Sequence, residues 1–171
     1  QSSKFIYENP WIRVDEDQVI NPAGKPGIYG KVHFKNQAVA ILAVDETQHI
    51  WLVGQTRYVL DTFSRELPMG GAPVGGCMLE SAKRELKEET GLSAKTWQSL
   101  LHLDISNSIT DERGHIYLAT DLEVGEPEFE ETEDISIVRL PLAEALDMAM
   151  DGRITDALSV AGLMRLALMH P

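Results

Sequence analysis

A chain of 171 residues is long enough for one domain with a sizeable core and too short for two ordinary ones. Its 27 acids against 15 bases leave a formal charge of −12. That balance argues against nucleic acid or an anionic membrane surface as the main partner, because both are held by Lys and Arg; an acidic protein that handles phosphates needs metal ions between itself and them.

With 43% hydrophobic residues the chain reads as globular rather than disordered. No apolar run reaches the roughly 18 residues of a spanning helix. The first residues, Gln1-Ser2-Ser3-Lys4, have no apolar stretch behind them, so no signal peptide is expected. The lone Cys77 excludes an internal disulfide and a cysteine-based zinc site. Histidines 33, 49, 102, 115 and 170 are scattered, with no pair at metal-ligand helical spacing. The expected compartment is the reducing cytoplasm.

The turn residues Asn21-Pro22-Ala23-Gly24-Lys25-Pro26-Gly27 separate two extended stretches, 11–20 and 28–34. Residues 38–44 and 50–53 read as buried strands joined by Asp45-Glu46-Thr47-Gln48. A glycine-rich loop is expected over 69–76, then a helix over 78–90 ended by Gly91. Further strands fall near 100–105, 115–120 and 135–140, and two helices close the chain over 141–150 and 155–169. The mixture predicts an α/β sandwich built as one unit over 1–171, with a strand-rich arm over 1–35 ahead of a core over 36–171.

The informative segment is the expected helix. Glu85, Glu88 and Glu89 are three and four residues apart, so their carboxylates converge on one face. Arg84 answers only part of that charge. A hard divalent ion held by oxygens is the natural occupant, and Mg2+ suits carboxylates together with substrate phosphates. The full pattern resembles the Nudix box, Gly-x5-Glu-x7-Arg-Glu-U-x-Glu-Glu-x-Gly-U with U a bulky aliphatic. Gly70, Arg84, Glu85, Leu86, Glu88, Glu89, Gly91 and Leu92 all fall in register. The first box glutamate is replaced by Gly76. Glu80, one turn before Arg84, is expected to pair with that arginine instead.

Beyond the box, Gln55-Thr56-Arg57-Tyr58 and Glu66-Leu67-Pro68-Met69-Gly70 are similar to the approach segment of ADP-ribose and nucleoside-diphosphate-sugar pyrophosphatases. The resemblance implies a Nudix α/β/α sandwich with a mixed sheet. It implies that Arg57 contacts substrate, that Glu66 lies near the site, and that the Met69 carbonyl joins Glu85, Glu88 and Glu89 as metal ligands. Glu131-Thr132-Glu133-Asp134 matches the family's mobile acidic loop, which makes Glu131 the base or water-orienting residue and Glu133 its alternative and a further metal contact. Arg84 would hold Glu85 in place. Trp11 and Tyr29 lie in the N-terminal strands that relatives exchange between subunits and use to stack the base, which implies a homodimer. The polar loop Ser106-Asn107-Ser108-Ile109-Thr110-Asp111-Glu112-Arg113 either lines the sugar pocket, with Glu112 as the substrate contact, or is a plain surface turn. Enzymes acting on ADP-ribose often carry a proline where Ser108 stands, so another nucleoside diphosphate sugar stays open.

The implied reaction is hydrolysis of the pyrophosphate bond of a nucleoside diphosphate sugar, with Mg2+ or Mn2+, to a nucleoside monophosphate and a sugar phosphate. Two alternatives stay open: hydrolysis of an oxidised nucleoside triphosphate, and a non-catalytic nucleotide-binding module.

Overall fold

The computed structural model describes residues 2–129 and 134–169. In chain order the elements are β1 (Ser2–Glu8), β2 (Ile12–Ile20), β3 (Pro26–Phe34), β4 (Asn36–Ala43), β5 (His49–Arg57), β6 (Thr62–Glu66), β7 (Met69–Pro73), α1 (Met78–Thr90), β8 (Leu92–Asp104), β9 (Arg113–Val124), β10 (Ser136–Pro141), α2 (Leu142–Met150) and α3 (Ala157–Met169).

A mixed sheet in the order β7-β4-β9-β8 forms the centre. Strand β4 runs parallel to β9 and antiparallel to β7, and β8 runs antiparallel to β9. The apolar run of β4 is continuous because both of its faces are buried. Val39, Ile41 and Ala43 pack with Ala82 and Leu86 of α1, while Ala40 and Leu42 pack with Ile50, Leu52, Leu158, Leu163 and Leu166 on the other side. The sheet is thus covered by α1 on one face and by β5, α2 and α3 on the other. A second antiparallel sheet, β10-β5-β6, and a third, β1-β2-β3, complete the fold.

One expectation needs correction, and two strands are not among those expected. The 69–76 stretch is not all loop: Met69–Pro73 is strand β7, with Val39 opposite Gly70 and Ala38 opposite Gly71. Only the residues after it turn, around Gly75 at φ +82°. Strand β1 has no counterpart in the sequence reading, since every residue in it is exposed and no buried face imposes a pattern. Strand β6 is also new; it is five residues long and pairs with β5 from Val53 opposite Glu66 to Arg57 opposite Thr62.

Candidate active site

Helix α1 places the carboxylates. It buries Ala82 and Leu86 in the core, and one turn along the same side it buries Glu85 and Glu89, which are 8% and 2% exposed. The helix ends as the sequence predicts: Gly91 adopts φ 73° and its N–H donates to the Lys87 carbonyl.

The glycines of β7 let that acidic face approach the sheet. A Cβ on Gly70 would stand 2.0 Å from Glu85 Cδ, so the carboxylate occupies the space a side chain would fill. The Met69 N–H donates to Glu89 Oε2 at 2.8 Å. Arg84 reaches across the set: Nη1 donates to Glu88 Oε2 at 2.5 Å, and Nη2 donates to Glu85 Oε1 and, at 3.2 Å, to the Gly71 carbonyl. The expected hold of Arg84 on Glu85 is therefore present. The expected pairing of Glu80 with Arg84 is not: Glu80 accepts from Lys83 at 2.8 Å, because Glu85 and Glu88 already engage the guanidinium.

Among the described residues no three His, Cys, Asp or Glu side chains form a chelating group as they stand. Arg84 lies between Glu85 and Glu88, and the Met69 N–H engages Glu89. The donor set nonetheless fits a hard divalent cation: carboxylate oxygens on one helix face, two of the carboxylates nearly buried, set against a glycine strand whose backbone a small ion can approach.

Beside this set lies a cleft of about 440 Å3 lined by Arg57, Tyr58, Val59, Leu60, Ser64, Glu66, Thr155 and Asp156. That volume suits a small-molecule ligand. Arg57 grips Glu66 with both prongs, Nε to Oε1 at 2.9 Å and Nη2 to Oε2. Burial raises the Glu66 pKa, but the bonds from Arg57 and Ser64 outweigh it and hold the carboxyl below its ordinary value. The bond to Glu66 raises the Arg57 pKa, with smaller contributions from the charges of Asp156 and Glu89. Glu112 is pushed above its ordinary value by burial and then by Asp156.

The remaining expected site residues lie elsewhere. Trp11 is 66% exposed, with its backbone N–H bonded to Asn9 Oδ1. Tyr29 is 47% exposed, and its hydroxyl donates to the Ser108 carbonyl. The 106–113 loop docks on the arm: Phe34 N–H donates to Asp111 Oδ1, and His33 bonds Asp111 Oδ2 at 2.7 Å. The candidate base Glu131 and its alternative Glu133 lie outside the described residues. The chain leading to them does not: Gly125 N–H donates to the Gly91 carbonyl, Glu128 N–H to the Glu88 carbonyl, and Lys87 pairs with Glu128. Sequence reasoning gives Asp156 and Ser159 no role beyond the tail 151–160; in the structure Asp156 lines the cleft and Ser159 is buried behind it in the first turn of α3. An acid three residues before a serine at a helix start is the signal that marks them.

Comparison with known proteins agrees with this geometry. A model of the NUDIX domain matches residues 34–158, and one described as the nucleoside diphosphate sugar hydrolase N-terminal domain matches residues 1–32. The ADP-ribose pyrophosphatase of Mycobacterium tuberculosis is 38% identical over 95% of this chain and 80% of its own length. That of Bacillus subtilis is 33% identical over 77% of this chain and 72% of its own. The fold superposes on a crystal structure of an ADP compounds hydrolase with a TM-score of 0.87 at 24% identity, covering 98% of this chain and 91% of the other. Enzymes of this kind generally need a divalent metal. A box helix folded against its glycine strand, within a match covering most of the chain, has one reading: the chain belongs to the Nudix family and is a Nudix hydrolase.

Proposed function

We propose that the protein hydrolyses the pyrophosphate bond of a nucleoside diphosphate sugar, ADP-ribose or a similar compound, releasing a nucleoside monophosphate and a sugar phosphate. The observation that carries this reading is the contact of the Glu85–Glu89 face with Gly70 beside the Arg57–Glu66 cleft. The two ADP-ribose pyrophosphatase relatives support the substrate class.

Glu85, Glu88, Glu89 and the Met69 carbonyl would hold Mg2+, with Mn2+ as the alternative. When bound, such an ion neutralises the diphosphate and lowers the pKa of a water molecule. Arg84 holds Glu85 and Glu88 together on the helix, and binding of the ion would redirect carboxylate oxygens away from the guanidinium. Arg57, oriented by Glu66, presents its guanidinium along the cleft for a substrate phosphate or ribose. Glu131, or Glu133, orients the water and takes its proton while the water oxygen adds to phosphorus and the bridging P–O bond breaks. The backbone bond from Glu128 to Glu88 supports this role, because it anchors that segment's approach on the box helix. Glu112 would contact the sugar.

The protein would act in the cytoplasm as a homodimer, with 1–35 as an arm and 36–171 as the core. Exchange of that arm with a second copy would carry Trp11 or Tyr29 to the substrate base. Product analysis with ADP-ribose, ADP-glucose, GDP-mannose, UDP-glucose and an oxidised nucleoside triphosphate tests the reading. Mg2+-dependent sugar phosphate is expected from at least one of the sugars. Glu89→Gln is expected to lower that turnover by about 10²-fold or more, since the Met69 N–H still finds an acceptor while the charge is gone. Full turnover in Glu89→Gln would refute the assignment. Calorimetry that detects binding without product would assign a binding module instead.

A further inference from the structure

Between β6 and β7 the chain leaves one sheet and enters another within two residues, Leu67 and Pro68. Such a jump strands backbone donors away from any ladder. Pro68 has no N–H to satisfy. The Leu67 N–H is buried, and it donates to Ser159 Oγ at 2.9 Å, 92 residues further along the chain. Ser159 is 0% exposed. Its hydroxyl hydrogen is directed to Asp156 Oδ2 at 2.8 Å, and the same oxygen accepts the Ser159 N–H at 2.8 Å, which caps the first turn of α3. With the hydroxyl hydrogen committed to Asp156, a lone pair of Ser159 Oγ faces Leu67. One turn on, Gly162 lets α3 lie close against Leu67, since a Cβ there would be 3.3 Å from Leu67 Cδ1.

The segment pinned in this way carries the site. Glu66 precedes it, bonded to Arg57; Met69 and Gly70 follow, against Glu89 and Glu85. We propose that Ser159, oriented by Asp156, is a positioning residue that fixes the Leu67–Met69 backbone and thereby the metal-facing edge of the site. The inference rests on the function proposed above. Ser159 touches neither substrate nor metal; it acts through Leu67.

The test compares wild type, Ser159→Ala, Ser159→Thr and Asp156→Asn. Mn2+ is titrated into each without substrate and read by electron paramagnetic resonance, and kcat, KM and thermal midpoint are then measured with the best sugar nucleotide. Ser159→Ala is expected to weaken Mn2+ binding by about fivefold or more and to lower kcat by a similar factor, with KM changed less than twofold. Ser159→Thr, which keeps the hydroxyl, is expected to recover most of both. Asp156→Asn keeps a carbonyl oxygen that can accept both the Ser159 N–H and its hydroxyl hydrogen, so it keeps the cap and the fold and is expected to stay within about twofold of wild type in Mn2+ affinity. A serine that only stabilised the fold would lower the midpoint and leave Mn2+ affinity and kcat of the folded protein alone; that result overturns the proposal, as does a loss of Mn2+ affinity in Asp156→Asn as large as in Ser159→Ala, which would assign the effect to the Asp156 charge rather than to the Ser159 oxygen. A wild type without turnover sinks the functional reading and this inference with it. A wild type that turns over beside an unchanged Ser159→Ala sinks the inference alone.

Discussion

Gly70→Ala probes the site with a single methyl group. The added Cβ would lie 2.0 Å from Glu85 Cδ and 2.2 and 2.3 Å from its two oxygens. Ordinary contact begins near 3.4 Å, so the carboxylate must retreat by about 1.4 Å. It cannot do so alone, because Glu85 is nearly buried and is held by Arg84, which also holds Glu88 and the Gly71 carbonyl. A misplacement of about 1 Å at a reacting centre costs about 10²-fold. The expected fall in kcat/KM is therefore about 10²-fold or more, which corresponds to about 2.7 kcal/mol of transition-state stabilisation. Overpacking adds about 1–3 kcal/mol of lost stability, a drop in thermal midpoint of roughly 2–12 °C for a chain of this size. Gly71→Ala is the control: its nearest neighbour is the Asn36 amide at 3.2 Å, the far end of a side chain that can give way. A much smaller loss is expected there. The assay is sugar phosphate release at saturating Mg2+, with a melting curve for each variant. Gly70→Ala within threefold of wild type in kcat/KM would show that Glu85 does not need the space above that glycine.

Three further outcomes follow from the same geometry. Gly91→Ala combines a φ of +73° with a Cβ 2.4 Å from the Gly125 carbonyl oxygen, so the thermal midpoint should fall by the equivalent of at least about 1 kcal/mol; an unchanged melting curve would contradict the capping role. Glu66 is held below its ordinary pKa, so its pairing contributes stability above the unfolded carboxylate's pKa of about 4.3 and loses it as pH falls through the folded value. The gap in urea midpoint between wild type and Arg57→Ala should accordingly be wide at pH 7 and narrow on acidification, and a gap independent of pH would rule this out. Glu112 has the opposite sign: its raised pKa penalises the charged form, so stability is lost as pH rises through the folded value. Glu112→Gln should raise the melting temperature at pH 7 and leave it nearly unchanged near pH 4, and a gain of equal size at both values would point to another cause.

The parts of the fold that were legible in the sequence are those where one residue pattern has one physical outcome. Strand β4 is an unbroken apolar run because both faces are covered, and α1 carries its stop signal in Gly91. Strand β7 was not legible, because Met69–Pro73 is glycine-rich and is extended only by its pairing with β4. The same glycines that hide the strand make room for Glu85, so local propensity fails at the site itself. Contacts set by register or tertiary packing were out of reach. His102 and His115 look scattered, yet they stand directly opposite across β8 and β9 with ring centroids 4.3 Å apart. Ser159 read as an ordinary helical residue, because Leu67, which needs its oxygen, is 92 positions away. The carboxylate spacing gives the right side of α1 and the right partners of Arg84 in Glu85 and Glu88; the added pairing with Glu80, also one turn away, does not form because that carboxylate goes to Lys83.

The acidity of the chain takes its meaning from where it is anchored. Eight of the 27 acids lie between 121 and 134, a stretch without a single lysine or arginine. Its first residues end β9, where Glu123 pairs with Lys95 of β8; the next reach the end of the box helix, where Gly125 and Glu128 donate backbone bonds to the carbonyls of Gly91 and Glu88 and Lys87 pairs with Glu128. These lysine pairs are exposed and contribute little stability, so their effect is on placement. The backbone bond from Glu128 to the Glu88 carbonyl ties the approach to the acidic stretch to the helix that carries Glu85, Glu88 and Glu89. A diphosphate approaching that region meets like charge, and at the few-ångström range of the site the repulsion is only partly screened by salt. A divalent cation reverses the sign locally, and the same carboxylates that repel the substrate are the oxygens that would bind the ion. On the function proposed above, the net charge of −12, which taken alone counts against a phosphate ligand, would make substrate affinity conditional on the metal.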